Sequence, residues 1–191
     1  MRKESEGVTE NLLDSARKEF LQYGFHDASL RRISADSGVS TNSIYTRFGD
    51  KNGLFTAIVK EAADELMAIY SDSIKKAGEA TDISRAEDAG DEGTDLVLEY
   101  IYRHPEEFKL IFCCSAGTEY ETYFDRLAAK EEYYYKQFAK RFSDGGHSID
   151  DFFIHVYGSM CMNSSHMIRA MKRQKNLWQM SEHLTMRAGR R

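Results

Sequence analysis

Proline is almost absent from this chain: Pro105 is the single one in 191 residues. Regularly spaced β-branched runs are missing too, which argues against a β-rich fold and for an all-α protein. Cysteine is scarce. Cys113, Cys114 and Cys161 are odd in number and two are adjacent, so no disulfide framework is implied and a reducing cytoplasm is the expected setting. No stretch approaches the roughly 20 apolar residues of a membrane span. The opening MRKESEGVTEN has no apolar core of signal-peptide length, so a soluble, cytoplasmic protein with no membrane partner is expected.

Reactive constellations are missing as well. The histidines (His26, His104, His147, His155, His166, His183) and cysteines show no close zinc-type spacing, so no metal or other cofactor is expected. Gly90 and Gly93 lie among acidic residues rather than between a strand and a helix, which removes a phosphate-cradling loop. Serine, histidine and aspartate occur, but nothing brings them together, and an enzyme is not expected.

What is present is concentrated in Asp27 to Lys51, DASLRRISADSGVSTNSIYTRFGDK. Ser29 can cap a short helix through Ala35, which Gly38 ends because glycine enters the left-handed conformation without strain. Val39 closes the corner. Ser40 can cap a second helix, Thr41 to Phe48, in which Ile44 and Phe48 share one face. The remaining face, with Thr41, Asn42, Ser43, Thr46 and Arg47, is polar and free of carboxylates. Two short helices joined by a glycine turn make a helix-turn-helix whose second helix fits the major groove. Asn pairs bidentately with adenine, Arg with guanine, and Ser or Thr with either, while Tyr45 and Lys51 reach phosphates at the groove edge. The same pattern also fits a helical corner in a bundle with merely solvated polar residues.

Net charge is −5, at first sight adverse for a nucleic-acid partner. From Ser29 to Lys60, however, five basic residues (Arg31, Arg32, Arg47, Lys51, Lys60) face two acidic ones (Asp36, Asp50), a local +3.

The run YGFHDASLRRISADSGVSTNSIYTRFGDKNGLFTAIV resembles the N-terminal DNA-binding domain of the TetR family of transcriptional regulators. Phe20, Tyr23 and Gly24 after a first helix, the turn Ser37-Gly38-Val39-Ser40, Ile44-Tyr45, Phe48, Lys51 and Leu54-Phe55 carry the resemblance. It covers about a quarter of the chain, Thr9 to Val59. It implies a three-helix head packed on the first helix, with Thr41, Asn42, Thr46 and Arg47 at base edges and Ser29, Ser40, Ser43, Tyr45 and Lys51 at phosphates. Many relatives carry Lys-Gly or similar where Thr41-Asn42 stand here, so the target sequence is not transferable.

Along the rest of the chain, Met1 to Val8 reads as a charged leader. Thr9 is the expected N-cap of a helix carrying Leu12, Leu13, Ala16 and Phe20, ended by Gly24. Asp50 can cap a long helix to about Ala77 with a stripe of Leu54, Phe55, Ile58, Ala62, Leu66 and Ile69. The acidic stretch Gly78 to Gly93 fits either a frayed helix start or an exposed loop. A helix with Leu96, Val97, Tyr100 and Ile101 stops near His104. Pro105 suits the first position of the next helix, which buries Phe108, Leu110, Ile111, Phe112 and the two cysteines. An aromatic helix (Glu119 to Phe142), another from Ser148, and a last one from Lys175 to Ala188 complete the chain.

The expected organisation is therefore an N-terminal helix-turn-helix domain, residues 1–50, with a linking helix 51–77, and a larger helical ligand-binding and dimerisation domain, 51–191. Met67, Tyr70, Tyr100, Phe108, Phe112, Tyr123, Tyr134 and Met160 are candidates to line a pocket for an apolar or aromatic effector, although aromatics also fill ordinary cores. Surplus apolar face on the last two helices points to a homodimer through Phe152, Val156, Met160, Met167, Met171, Leu177, Trp178 and Leu184. The resemblance implies the same dimer, and with it a repressor that binds a palindromic operator on double-stranded DNA and is released by a small molecule. The competing reading is a helical ligand-binding or interaction protein with a vestigial head.

Overall fold

The computed structural model describes residues 6–127, 129–130 and 133–134, and among them every regular element is a helix. In chain order these are α1 (Glu6–Asp27), α2 (Leu30–Ser37), α3 (Thr41–Phe48), α4 (Lys51–Glu79), α5 (Ile83–Arg103) and α6 (Pro105–Cys113). No described helix is long and apolar enough to cross a membrane. The expected interface residues Phe152, Val156, Met160, Met167, Met171, Leu177, Trp178 and Leu184 lie outside the described residues.

Local chemistry sets most boundaries. Asp50 Oδ1 accepts from the Gly53 N–H at 2.7 Å and starts α4, as its position suggests. Pro105 opens α6, with Glu106 and Glu107 in the first turn where the helix dipole favours them. One boundary differs from expectation. Helix α1 begins at Glu6, so Thr9 is not its N-cap; Gly24 (φ 72°, ψ 169°) kinks it, and helix resumes to Asp27. The acidic stretch takes the helical of its two readings: Asp82 Oδ1 accepts from the Arg85 N–H at 3.0 Å, and α5 starts at Ile83.

The chain divides into two compact units, one ending at Asp64 but taking in His104–Tyr123, the other made of Glu65–Arg103 and residues from Phe124 on. In the first, α1 packs on α2 and α6, and α2 on α3. Its centre is aromatic. The Phe55 ring stands edge-on to Phe20 (5.1 Å) and Phe25 (5.6 Å), and lies 6.1 Å from Tyr120. Leu12, Ala16, Phe20, Ile33, Ile44 and Leu54 are fully buried.

Residues 104–123 are tied into this unit by polar bonds. The Phe25 N–H donates to the Cys114 carbonyl at 2.9 Å. Arg17 of α1 bridges Glu107 at 3.3 Å and Glu106 at 3.7 Å. The Tyr123 hydroxyl, fully buried, donates to the Ala63 carbonyl at 2.6 Å. Tyr123→Phe removes this donor while the Ala63 carbonyl keeps its place in the helical ladder of α4, so it should cost ~0.5–1.5 kcal/mol in urea unfolding. A change below about 0.3 kcal/mol would contradict that account of the bond.

In the second unit, Leu66, Tyr70, Ala77, Val97, Ile101 and Leu127 are buried. A groove of about 240 Å³ lies between α4 and α5, lined by Ile69, Asp72, Ser73 and Lys76 on one side and Leu96, Glu99, Tyr100 and Arg103 on the other.

Candidate nucleic-acid interface

Helix α3 is seated by one apolar anchor and two glycine turns, Gly38 before it and Gly49 (φ 80°) after it. Gly38 takes the left-handed conformation (φ 70°, ψ 6°) that turns the chain sharply between α2 and α3. Ser37 braces this turn: its hydroxyl donates to the Ile33 carbonyl at 2.7 Å and accepts from the Val39 N–H at 3.2 Å. Val39 is buried, and Ile44 carries no exposed surface at all. Ser40 caps α3, accepting from the Ser43 N–H at 3.1 Å, with the two hydroxyls 2.9 Å apart.

With Ile44 turned inward, Asn42, Tyr45 and Thr46 face solvent, and Thr41, Ser43 and Arg47 are half-buried. Tyr45 is 53% exposed, unusual for so large a ring. Thr46 Oγ1 donates to the Asn42 carbonyl at 2.8 Å, so in this rotamer it presents lone pairs outward. Arg47 is partly engaged inside the head, where its guanidinium donates to Thr9 Oγ1 at 3.2 Å.

Lys51 is also turned toward the protein. Its ammonium donates to the His26 carbonyl at 3.0 Å and the Ala28 carbonyl at 3.1 Å, and lies 4.7 Å from the Phe25 ring centre. An ammonium has three donors, so two carbonyls leave one for a phosphate. Ser29 occupies the N-cap position of α2, yet its hydroxyl makes no capping bond.

Residues that spacing alone did not single out complete the site. Glu19, on α1 and only 8% exposed, accepts the backbone N–H of Ser29 at 2.8 Å at the entrance of α2. It also receives Arg32 Nε at 2.7 Å. The hydrogen bond to Glu19, partly opposed by desolvation, raises the Arg32 guanidinium above its ordinary pKa. Gly53 is the other. A Cβ built there would lie 1.9 Å from the Phe48 carbonyl oxygen, so the start of α4 fits under the end of α3 only without a side chain. A buried carboxylate on an amphipathic helix looks, in one dimension, like any solvated glutamate. A glycine two residues into a helix looks like chance.

Of the candidate effector residues, Phe108, Phe112 and Tyr123 are buried in the first unit. Polar ties hold residues 104–123 to α1 and α4 there. Tyr100 lines the α4–α5 groove, while Met67, Tyr70 and Tyr134 lie in the second unit outside that lining, Tyr70 buried. Met160 lies outside the described residues.

Comparison with known proteins bears on this geometry. Residues 12–58 match the family model of bacterial regulatory proteins, tetR family. The HTH-type transcriptional repressor Rv1474c of Mycobacterium tuberculosis is 37% identical over 60 residues, which are 31% of this chain and 32% of that protein. The HTH-type transcriptional repressor AcnR of Corynebacterium glutamicum is 33% identical over 64 residues, 34% of each chain. The chain thus matches about a third of the length of these relatives. A solved transcriptional regulator from Aquifex aeolicus VF5 aligns over 94% of this chain and 99% of its own, with 14% identity and a TM-score of 0.49. The family match runs from α1 into α4 and includes the turn at Gly38, the anchor Ile44 and the whole outward face of α3, so residues 12–58 are similar to the helix-turn-helix segment of bacterial regulatory proteins of the tetR family.

Proposed function

We propose that this protein is a DNA-binding transcriptional regulator, a repressor that grips a palindromic operator as a homodimer and is released by an apolar or aromatic small molecule. The observation that carries the reading is the outward face of α3: Asn42, Tyr45 and Thr46 stand exposed on a helix pinned from below by Ile44, with no carboxylate to repel the duplex. The names of the two bacterial repressors support the sign of regulation. One eight-residue helix gives weak binding alone; two, set about one turn of DNA apart (~34 Å), read both halves of a palindrome. Effector release requires a ligand that prefers the wrong spacing. A preference of ~3 kcal/mol lowers operator affinity roughly a hundredfold.

Fluorescence titration of the full chain against genomic fragments tests the reading. A regulator discriminates its palindrome from random sequence by ~10³ or more, and equal affinity for both would refute it.

Within the head, Asn42→Ala should cost ~1–3 kcal/mol at one base pair and relax specificity there. Lys51→Ala should weaken operator and random DNA alike and flatten the salt dependence by about one unit. Equal losses on both DNAs for both variants would reject this division between base readout and phosphate grip.

A further inference from the structure

Of the two adjacent arginines on α2, we infer that Arg31 alone serves the DNA backbone, while Arg32 is a positioning residue that locks the helix-turn-helix to α1. The inference rests on the DNA-binding reading above. By charge and place both side chains look like phosphate ligands, and the structure separates them.

Three of the five N–H donors of the Arg32 guanidinium are already engaged, and they are the ones a two-pronged grip needs. Its Nε (2.7 Å) and Nη2 (2.5 Å) both meet Glu19 Oε1, and the same Nη2 donates to the Asp27 carbonyl at 2.8 Å. A two-pronged grip on phosphate uses either the Nε side or the paired terminal nitrogens. Both forks pass through Nη2, whose two hydrogens are taken. The guanidinium also lies 4.3 Å over the Tyr23 ring. Withdrawing it toward DNA would strand a nearly buried carboxylate, which is strongly unfavourable. Glu19 has a second duty that fixes its position, because the same oxygen holds the Ser29 N–H at the entrance of α2.

One carboxylate and one guanidinium therefore join the middle and end of α1 to the first turn of α2. From there Ile33, Ser37 and Gly38 carry the orientation into α3. Arg31 lies next to this latch but is exposed, with no ion pair among the described residues. Its charge remains available to the duplex.

The test measures binding of the full-length chain to a random-sequence duplex as a function of salt. Each phosphate contact contributes about 0.9 to the slope of log K against log salt. Arg31→Ala should flatten the slope by about that amount, whereas Arg32→Ala should leave it at the wild-type value while lowering the melting temperature. If Arg32→Ala does not fold, Arg32→Gln removes the charge but keeps an amide donor for Glu19, and the same slope is read. A loss of about one unit on either Arg32 variant, or none on Arg31→Ala, would overturn the assignment.

A second measurement needs no DNA. In a thermodynamic cycle of Glu19→Ala and Arg32→Ala, the double variant should lose clearly less stability than the two single losses added. Strict additivity would also overturn the latch. A wild-type chain that binds no duplex would reject the DNA-binding reading instead, and the cycle would still decide whether Arg32 and Glu19 act as a pair.

Discussion

Gly53→Ala should disable DNA binding more thoroughly than any single substitution on the recognition face. The added Cβ would stand 1.9 Å from the Phe48 carbonyl oxygen, and that neighbour is backbone, so no side-chain rotation relieves the overlap. The end of α3 and the start of α4 must separate by about 1.5 Å to restore ordinary contact. Overpacking of this kind costs ~1–3 kcal/mol, which outweighs the gain of up to ~1 kcal/mol that alanine brings to a helix. Losing a side chain such as Asn42 removes one contact; moving the C-terminal end of α3 misaligns several. We expect operator affinity to fall by more than tenfold and the urea midpoint to drop with an unchanged slope. A Gly53→Ala protein with wild-type midpoint and affinity would show that the α3–α4 junction accommodates a side chain.

Phe55→Ala should be the most destabilising change in the first unit. Phe55 is fully buried and its ring meets Phe20, Phe25 and Tyr120. Truncating a buried phenylalanine costs ~3–5 kcal/mol through lost burial and the cavity left behind. Native proteins hold only ~5–15 kcal/mol in all, so this is a large fraction of the margin. Urea unfolding monitored at the tyrosines reports it. A loss below about 1 kcal/mol would mean that the cluster repacks around the gap and that Phe55 is not its centre.

Much of the head was legible because its signals are short-range. Gly38 needs only its own backbone to announce a turn, Ser40 only the N–H three residues on, and Pro105 only the rule that the first turn of a helix has no use for its missing donor. The burial of Leu12, Ala16, Phe20, Ile44 and Leu54 follows from periodicity in the same way.

What was not legible is any contact whose partner lies far along the chain. Ser29 looked like a side-chain cap, but its hydroxyl makes no capping bond, and its backbone N–H is held by Glu19 from another helix. Lys51 and Arg47, read as DNA contacts, also hold groups of the protein itself, the carbonyls of His26 and Ala28 and the hydroxyl of Thr9, and none of these is near in sequence. Phe108, Phe112 and Tyr123 looked like pocket lining because apolar rings are appropriate to both roles. Only the long-range tie of Tyr123 to Ala63, and that of Phe25 to Cys114, assign them to the first unit.

That return of the chain constrains anyone wishing to transplant this reading head onto another sensor. A fragment cut at Asp64 would keep the family's matched segment, residues 12–58, yet would leave Phe55 without Tyr120, Phe25 without its carbonyl acceptor and Arg17 without Glu106 and Glu107. A working chimera has to import two pieces, 1–64 and 104–123, and splice them around the guest.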